Sequence, residues 1–146
     1  MACPFFLPTE KFDGTWIHPL RLPLGCGWSG RCTAPEHDGE TPSLDEQREF
    51  CNLGYAESCP RLPRERTWDS VRFGVRAKRG EAAQPALTIY IQYVCERAHR
   101  PVEHGILEFD AAQQKWMVSH PHRAVQRMAE CFVAARTNKP AIEERP

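Results

Sequence analysis

Seven cysteines occur in a chain of 146 residues, and five of them, Cys3, Cys26, Cys32, Cys51 and Cys59, fall within the first 59. Thiolates ligate soft metals and iron–sulfur clusters, act as nucleophiles, or pair as disulfides. The count is odd, and the N-terminus lacks the charged start and apolar stretch of a secretory leader. The expected compartment is therefore a reducing cytoplasm, where disulfides are rare. Crowded free thiols are also an oxidation liability. Metal ligation is the reading that follows, ahead of a disulfide framework or a set of unliganded thiols.

Spacing bears on the metal. Between successive cysteines from Cys3 to Cys59 stand 22, 5, 18 and 7 residues. Structural zinc sites draw on tight pairs two to four residues apart, because a short knuckle aims two sulfurs at one ion. No such pair occurs here. A cubane iron–sulfur cluster collects four thiolates from separate loops, and a Cys-Pro step, present at Cys3–Pro4 and Cys59–Pro60, accompanies ferredoxin-type ligation. The expected ligands are Cys3, Cys32, Cys51 and Cys59. Cys26 is kept in reserve because Gly25 and Gly27 on either side leave its direction unfixed. Zinc is the alternative metal, with His18 or His37 able to replace a thiolate.

The run CPFF at Cys3–Phe6, CNLGYA at Cys51–Ala56 and the following Cys59–Pro60 step resemble a pattern of small, uncharacterised bacterial cysteine-rich proteins. The resemblance spans most of the chain. It implies a cysteine-bound iron–sulfur cluster and names no reaction.

Other candidate groups have ordinary explanations. Cys95 falls on the apolar face of a strand and Cys131 beside a helix stripe, where a free thiol packs as a small hydrophobe. His120 and His122 flank Pro121 at a helix start, which suits a cap or surface position. His99 and His104 bracket a hairpin turn. No phosphate loop, nucleophile elbow or paired-histidine metalloprotease motif is present, so the expectation is a binding protein and not an enzyme.

The elements that must position these residues divide near residue 66. Eight of 13 prolines and six of nine glycines precede it, which favours an irregular wrap over residues 1–66. One helix is expected there, from Leu44 to Leu53. Ser43 and Glu46 make its capping box and Gly54 its end, which would let Cys59 return towards Cys51. Residues 67–146 alternate as a half-buried antiparallel sheet does. Val71, Phe73 and Val75 share one face of a strand from Trp68 to Ala77, and Leu87, Ile89, Ile91, Tyr93 and Cys95 share one face of Ala86–Arg97. Gly105–Phe109 and Lys115–Ser119 would follow as a meander, with turns at 78–85 and around Arg100 and Pro101. A helix from Pro121 to Arg136 carries the stripe Val125, Met128, Ala129, Phe132 and Val133, and the chain from Asn138 onwards reads as a frayed tail.

The expected fold is one α+β domain, 1–146: an antiparallel meander of three or four strands with a C-terminal helix, closed by a Pro/Cys-rich metal-binding wrap. Formal net charge is zero, with 7 Lys/Arg against 10 Asp/Glu up to residue 66 and 12 against 9 after it. That balance argues against nucleic acid as a partner. Arg72, Arg76, Lys78 and Arg79, with Arg61, Arg64 and Arg66 upstream, read instead as a solvated face. No apolar run approaches the roughly 20 residues of a membrane span. The expected partner is a redox or other protein.

Overall fold

Alternation over 70–76 and 88–118 and helical periodicity after it are realised in the computed structural model, which describes residues 2–12, 22–53, 58–76 and 88–137. In chain order come strands β1 (Phe6–Lys11) and β2 (Trp28–Cys32), the short helix α1 (Leu44–Glu46) and a π-helical turn (Gln47–Cys51). Strands β3 (Ser70–Arg76), β4 (Thr88–Arg97), β5 (Arg100–Asp110) and β6 (Lys115–Val118) follow, then helix α2 (Arg123–Thr137). Strands β3-β4-β5-β6 form one antiparallel meander, and β1 and β2 form a separate antiparallel pair. The fold is α+β, as the pattern predicts.

Ile91 and Cys95 of β4, Val71 of β3, and Leu107 and Phe109 of β5 are buried on the sheet face that α2 covers. From α2, Val125, Met128, Ala129, Phe132 and Val133 are all buried, so the predicted stripe is the packed one. Phe73 meets Phe132 with ring centroids 5.8 Å apart. Val75, at the far end of its strand, is 46% exposed although it belongs to the same face. Cys95 and Cys131 are packed thiols, as expected.

The β4–β5 turn is tighter and earlier than expected. Ala98 and His99 take φ of 52° and 65°, and Arg97 pairs with Arg100, a two-residue hairpin that neither residue type announces. Strand β5 consequently starts at Arg100 instead of Gly105, and Pro101 is accommodated at a register shift opposite Glu96. Helix α2 begins at Arg123, with Pro121 outside it. The expected turn at 78–85, Gly54 and the stretch from Asn138 lie outside the described residues.

Two corrections concern the first half. It is not wholly irregular, because β1 and β2 pair from Phe6↔Cys32 to Lys11↔Trp28. Their closeness depends on Gly30, where a β-carbon would stand 2.1 Å from the Leu7 carbonyl oxygen. Nor is 44–53 a regular α-helix: the capping box at Ser43 and Glu46 is present, but only Leu44–Glu46 is α-helical before the π turn. The wider turn leaves Leu44 47% exposed while Cys51 is buried. Ala2 joins this half to the sheet, donating to the Val71 carbonyl at 2.7 Å and accepting from Val71 N–H at 2.9 Å. Among the described residues no helix is long and apolar enough to cross a membrane.

Candidate metal centre

Each early cysteine sits where a local constraint puts it. Cys3 follows the Ala2–Val71 bridge, and its N–H donates to the Cys51 carbonyl at 3.1 Å. Cys32 ends β2. Its N–H donates to Glu40 at 2.8 Å, and Thr33 next to it donates through both N–H and Oγ1 to the Phe5 carbonyl, each at 2.7 Å. That stitches the Cys32 segment to the CPFF segment.

Cys51 closes the π turn, and two buried amides latch that turn to β2. Asn52 accepts from Trp28 N–H at 3.0 Å and donates from Nδ2 to the carbonyls of Trp28 and Gln47, both at 2.9 Å. Gln47 accepts from Gly30 N–H at 3.3 Å and donates to the Pro42 carbonyl at 2.8 Å. These side chains do for the free edge of β2 what a third strand would do, satisfying backbone groups that burial would otherwise strand. Short-range pattern gives no sign of them; a polar residue on each side of a buried cysteine is the only hint.

The four thiols named from the sequence lie within electrostatic reach of one another. Ionised Cys3, Cys32 and Cys59 would each act electrostatically on Cys51, Cys32 and Cys59 on Cys3, and Cys59 on Cys32, which covers all six pairings. Cys26 has Lys11 and Cys131 as its charged and thiol neighbours and packs against the apolar cluster that includes Cys3 and Cys51. Cys3, Cys32 and Cys51 are buried, whereas Cys59 is half-buried. His37 faces Glu40, with its Nδ1 2.9 Å from Oε2; His18 lies outside the described residues.

Burial pushes the Cys3 thiol up to about 12, against hydrogen bonds from the backbone of Phe5 and Phe6 that favour its thiolate. Burial also raises Cys32, offset by the Ala34 N–H, which donates to Cys32 Sγ at 3.4 Å. Cys51 is raised by burial first and then by the three neighbouring sulfurs. Without a cation these thiols stay protonated at neutral pH. A cation bound among them would reverse that and turn the N–H donors into thiolate partners.

A second group was not anticipated. Cys95, Glu103 and His120 bring one potential ligand atom each within 4.8 Å of one another, and they are the only such three among the described residues. His120 is buried, not at the surface. The helix start is capped by His122, whose Nδ1 accepts from Val125 N–H at 3.5 Å, while His120 Nδ1 accepts from His122 N–H at 3.0 Å. That bond fixes the ring proton on Nε2, which lies 2.7 Å from Glu103 Oε2. Tyr93 O–H donates to the same oxygen at 3.0 Å. A metal on Nε2 would displace that proton onto Nδ1, against the His122 N–H. The group is therefore a hydrogen-bonded anchor of Glu103. Trp68 stands edge-on to both His120 and His122, and Tyr93 lies over Gly105, where a β-carbon would be 2.9 Å from its ring.

Several arginines of the sequence's basic runs face carboxylates: Arg61 pairs with Glu40 and Glu46, Arg66 with Asp69, and Arg72 with Glu96. Compared with protein-family models, curated proteins and solved structures, the chain matches none.

Proposed function

We propose that the chain binds an iron–sulfur cluster, of the [4Fe–4S] type, through Cys3, Cys32, Cys51 and Cys59, in a redox, sensing or structural role in the cytoplasm. The observation that carries this reading is the stitching of four separate segments to one another, Cys3 N–H to the Cys51 carbonyl, Thr33 to the Phe5 carbonyl and Arg61 to Glu40 and Glu46, with the four thiols in mutual electrostatic reach. Backbone N–H groups aimed at Cys3 and Cys32 suit thiolates and tune the potential of a cluster that they ligate.

Zinc is the competing metal, and spacing weighs against it. A tetrahedral zinc with Zn–S bonds of roughly 2.3 Å holds its sulfurs about 3.8 Å apart. Among the described residues, no three of these thiols fall within 4.8 Å of one another. A cubane sets its own irons and sulfides between the cysteines, so it does not require their sulfurs to be so close. When bound, the cluster would supply one-electron chemistry or cross-link the wrap; the chain supplies the thiolates, their N–H partners and an apolar wall that includes Phe5, Phe6 and Leu62.

Anaerobic purification followed by visible spectroscopy and iron, sulfide and zinc analysis tests the proposal. A brown protein with four irons and four sulfides per chain is the expected result. Stoichiometric zinc without sulfide supports the zinc-stabilised interaction module instead, and metal-free protein with all thiols titratable removes both.

A further inference from the structure

We infer that Arg61 is the positioning residue for the fourth ligand: its guanidinium ties the Cys59 segment to the two segments carrying Cys32 and Cys51, and so holds Cys59 in the site. This rests on the reading that the four thiols form one metal centre.

Cys59 has the weakest seat of the four. It lies in no strand or helix, is half-buried between exposed Ser58 and Pro60, and its own backbone bond is a local turn, Leu62 N–H to the Cys59 carbonyl at 3.1 Å. Two residues on, Arg61 reaches out of this loop. Its Nε donates to Glu40 Oε1 at 3.0 Å and its Nη1 donates to Glu46 Oε2.

Those carboxylates belong to the other ligand segments. The Glu40 carbonyl accepts from Cys32 N–H at 2.8 Å, and its second carboxylate oxygen is engaged by His37. Glu46 is held by the capping box, with Ser43 N–H donating to its Oε1 at 2.8 Å, and leads directly into the turn that ends at Cys51. One planar guanidinium thus bridges two oriented carboxylates, a geometry that the point charge of lysine does not reproduce. Arg61 is 20% exposed, Glu46 25% and Glu40 45%, so the Glu46 arm of the bridge is the less screened. Its charge also lies within electrostatic reach of Cys32.

Timed alkylation with iodoacetamide of anaerobically purified full-length protein, read cysteine by cysteine by peptide mass spectrometry, tests the assignment. Iron, sulfide and zinc are measured on the same samples. In Arg61→Met, Cys59 should react roughly five- to tenfold faster than in the native chain, with Cys3, Cys32 and Cys51 unchanged. Arg61→Lys should fall between the two, and the double variant Glu40→Gln/Glu46→Gln should match Arg61→Met because Arg61 acts through those carboxylates. The inference is overturned if Cys59 reacts no faster in Arg61→Met, or if all four thiols accelerate together, which would mean that Arg61 supports the whole wrap. Absence of iron and sulfide from the native protein would defeat the iron–sulfur reading, while the relative reactivity of Cys59 would still decide the role of Arg61.

Discussion

The two halves of this molecule are held by different physics. From Ser70 to Thr137, strands and helix bury a periodic apolar face, with Ile91, Leu107 and Phe109 against Ala129, Phe132 and Val133. The first half buries Ala2, Phe6, Leu24 and Trp28 beside Val71, Val125 and Met128, but it has only one short strand pair and a broken helix, and its internal joints are individual polar contacts: Asn52 on Trp28, Gln47 on Gly30, Thr33 on Phe5, Arg61 on Glu40 and Glu46. Hydrophobic burial is non-directional and spread over many residues. A hydrogen bond to a buried group is local, and losing one partner strands the other. The first half should therefore be the more brittle, and more dependent on whatever the four thiols hold.

The largest expected effect comes from removing the metal. Chelation with loss of the cluster should open the first half to protease and hydrogen exchange across 22–66, while amides of β4, β5 and α2 stay protected. Limited proteolysis followed by mass spectrometry reads this out. Loss of protection in both halves at the same chelator concentration would show that they share one stability and would erase the contrast.

Single substitutions separate the halves more gently. Ile91→Ala removes a fully buried side chain from the sheet and should lower unfolding stability by about 2–5 kcal/mol while metal content per folded chain stays constant. Asn52→Ala strands the Trp28 N–H and carbonyl, the Gln47 carbonyl keeping the backbone N–H of residue 52, and should cost about 2–3 kcal/mol, with reduced metal content and an unchanged set of slow-exchanging sheet amides. Urea melts, hydrogen exchange and metal analysis on both variants make the comparison. A full metal load in Asn52→Ala would mean that the latch to β2 does not position Cys51.

The same division governs what could be read beforehand. Alternation through Val71, Ile91 and Cys95 and the α2 stripe report burial directly, because side-chain direction repeats every two residues in a strand and every 3.6 in a helix. The β1–β2 pairing was unreadable: it rests on one close approach at Gly30 and on amides 17 to 24 residues away. The π turn was equally hidden, since a capping box marks where a helix starts and says nothing about its pitch from the fourth residue on. Cysteine type and the Cys-Pro steps pointed to the thiols, but the partners that bring them together, Asn52, Gln47, Glu40 and Arg61, carry no such mark. His120 was missed for the same reason; its anchor, Glu103, comes from a different strand.

Alkaline pH probes the half that lacks a candidate metal. Burial pushes Cys95 and Cys131 up to about 12 from an ordinary 9.0. Because the folded value is raised, the stabilisation from keeping these thiols neutral is complete below pH 9.0. It is lost as pH rises towards 12, where the unfolded chain has already released both protons. Melting temperature should therefore fall across that window, and Cys95→Ala/Cys131→Ala should flatten the fall. An equal slope in the double variant would place the alkaline sensitivity in other groups.

The smallest expected effect is the most selective. Cys26 neighbours Cys131 and Lys11 and takes no part in the six pairings among Cys3, Cys32, Cys51 and Cys59. Serine there changes one half-buried thiol on a segment packed against α2, where a β-carbon on Gly25 would meet Ala135 at 2.7 Å. Iron and sulfide content and the visible spectrum should be those of the native protein, and stability should change by less than about 1 kcal/mol. Cys51→Ser should abolish the spectrum, because it removes the sulfur that all three others approach, from a turn with no second thiol to offer. If Cys26→Ser bleached the protein while Cys3→Ser kept its colour, the ligand set would shift towards α2, and the sheet-and-helix half would take part in holding the metal.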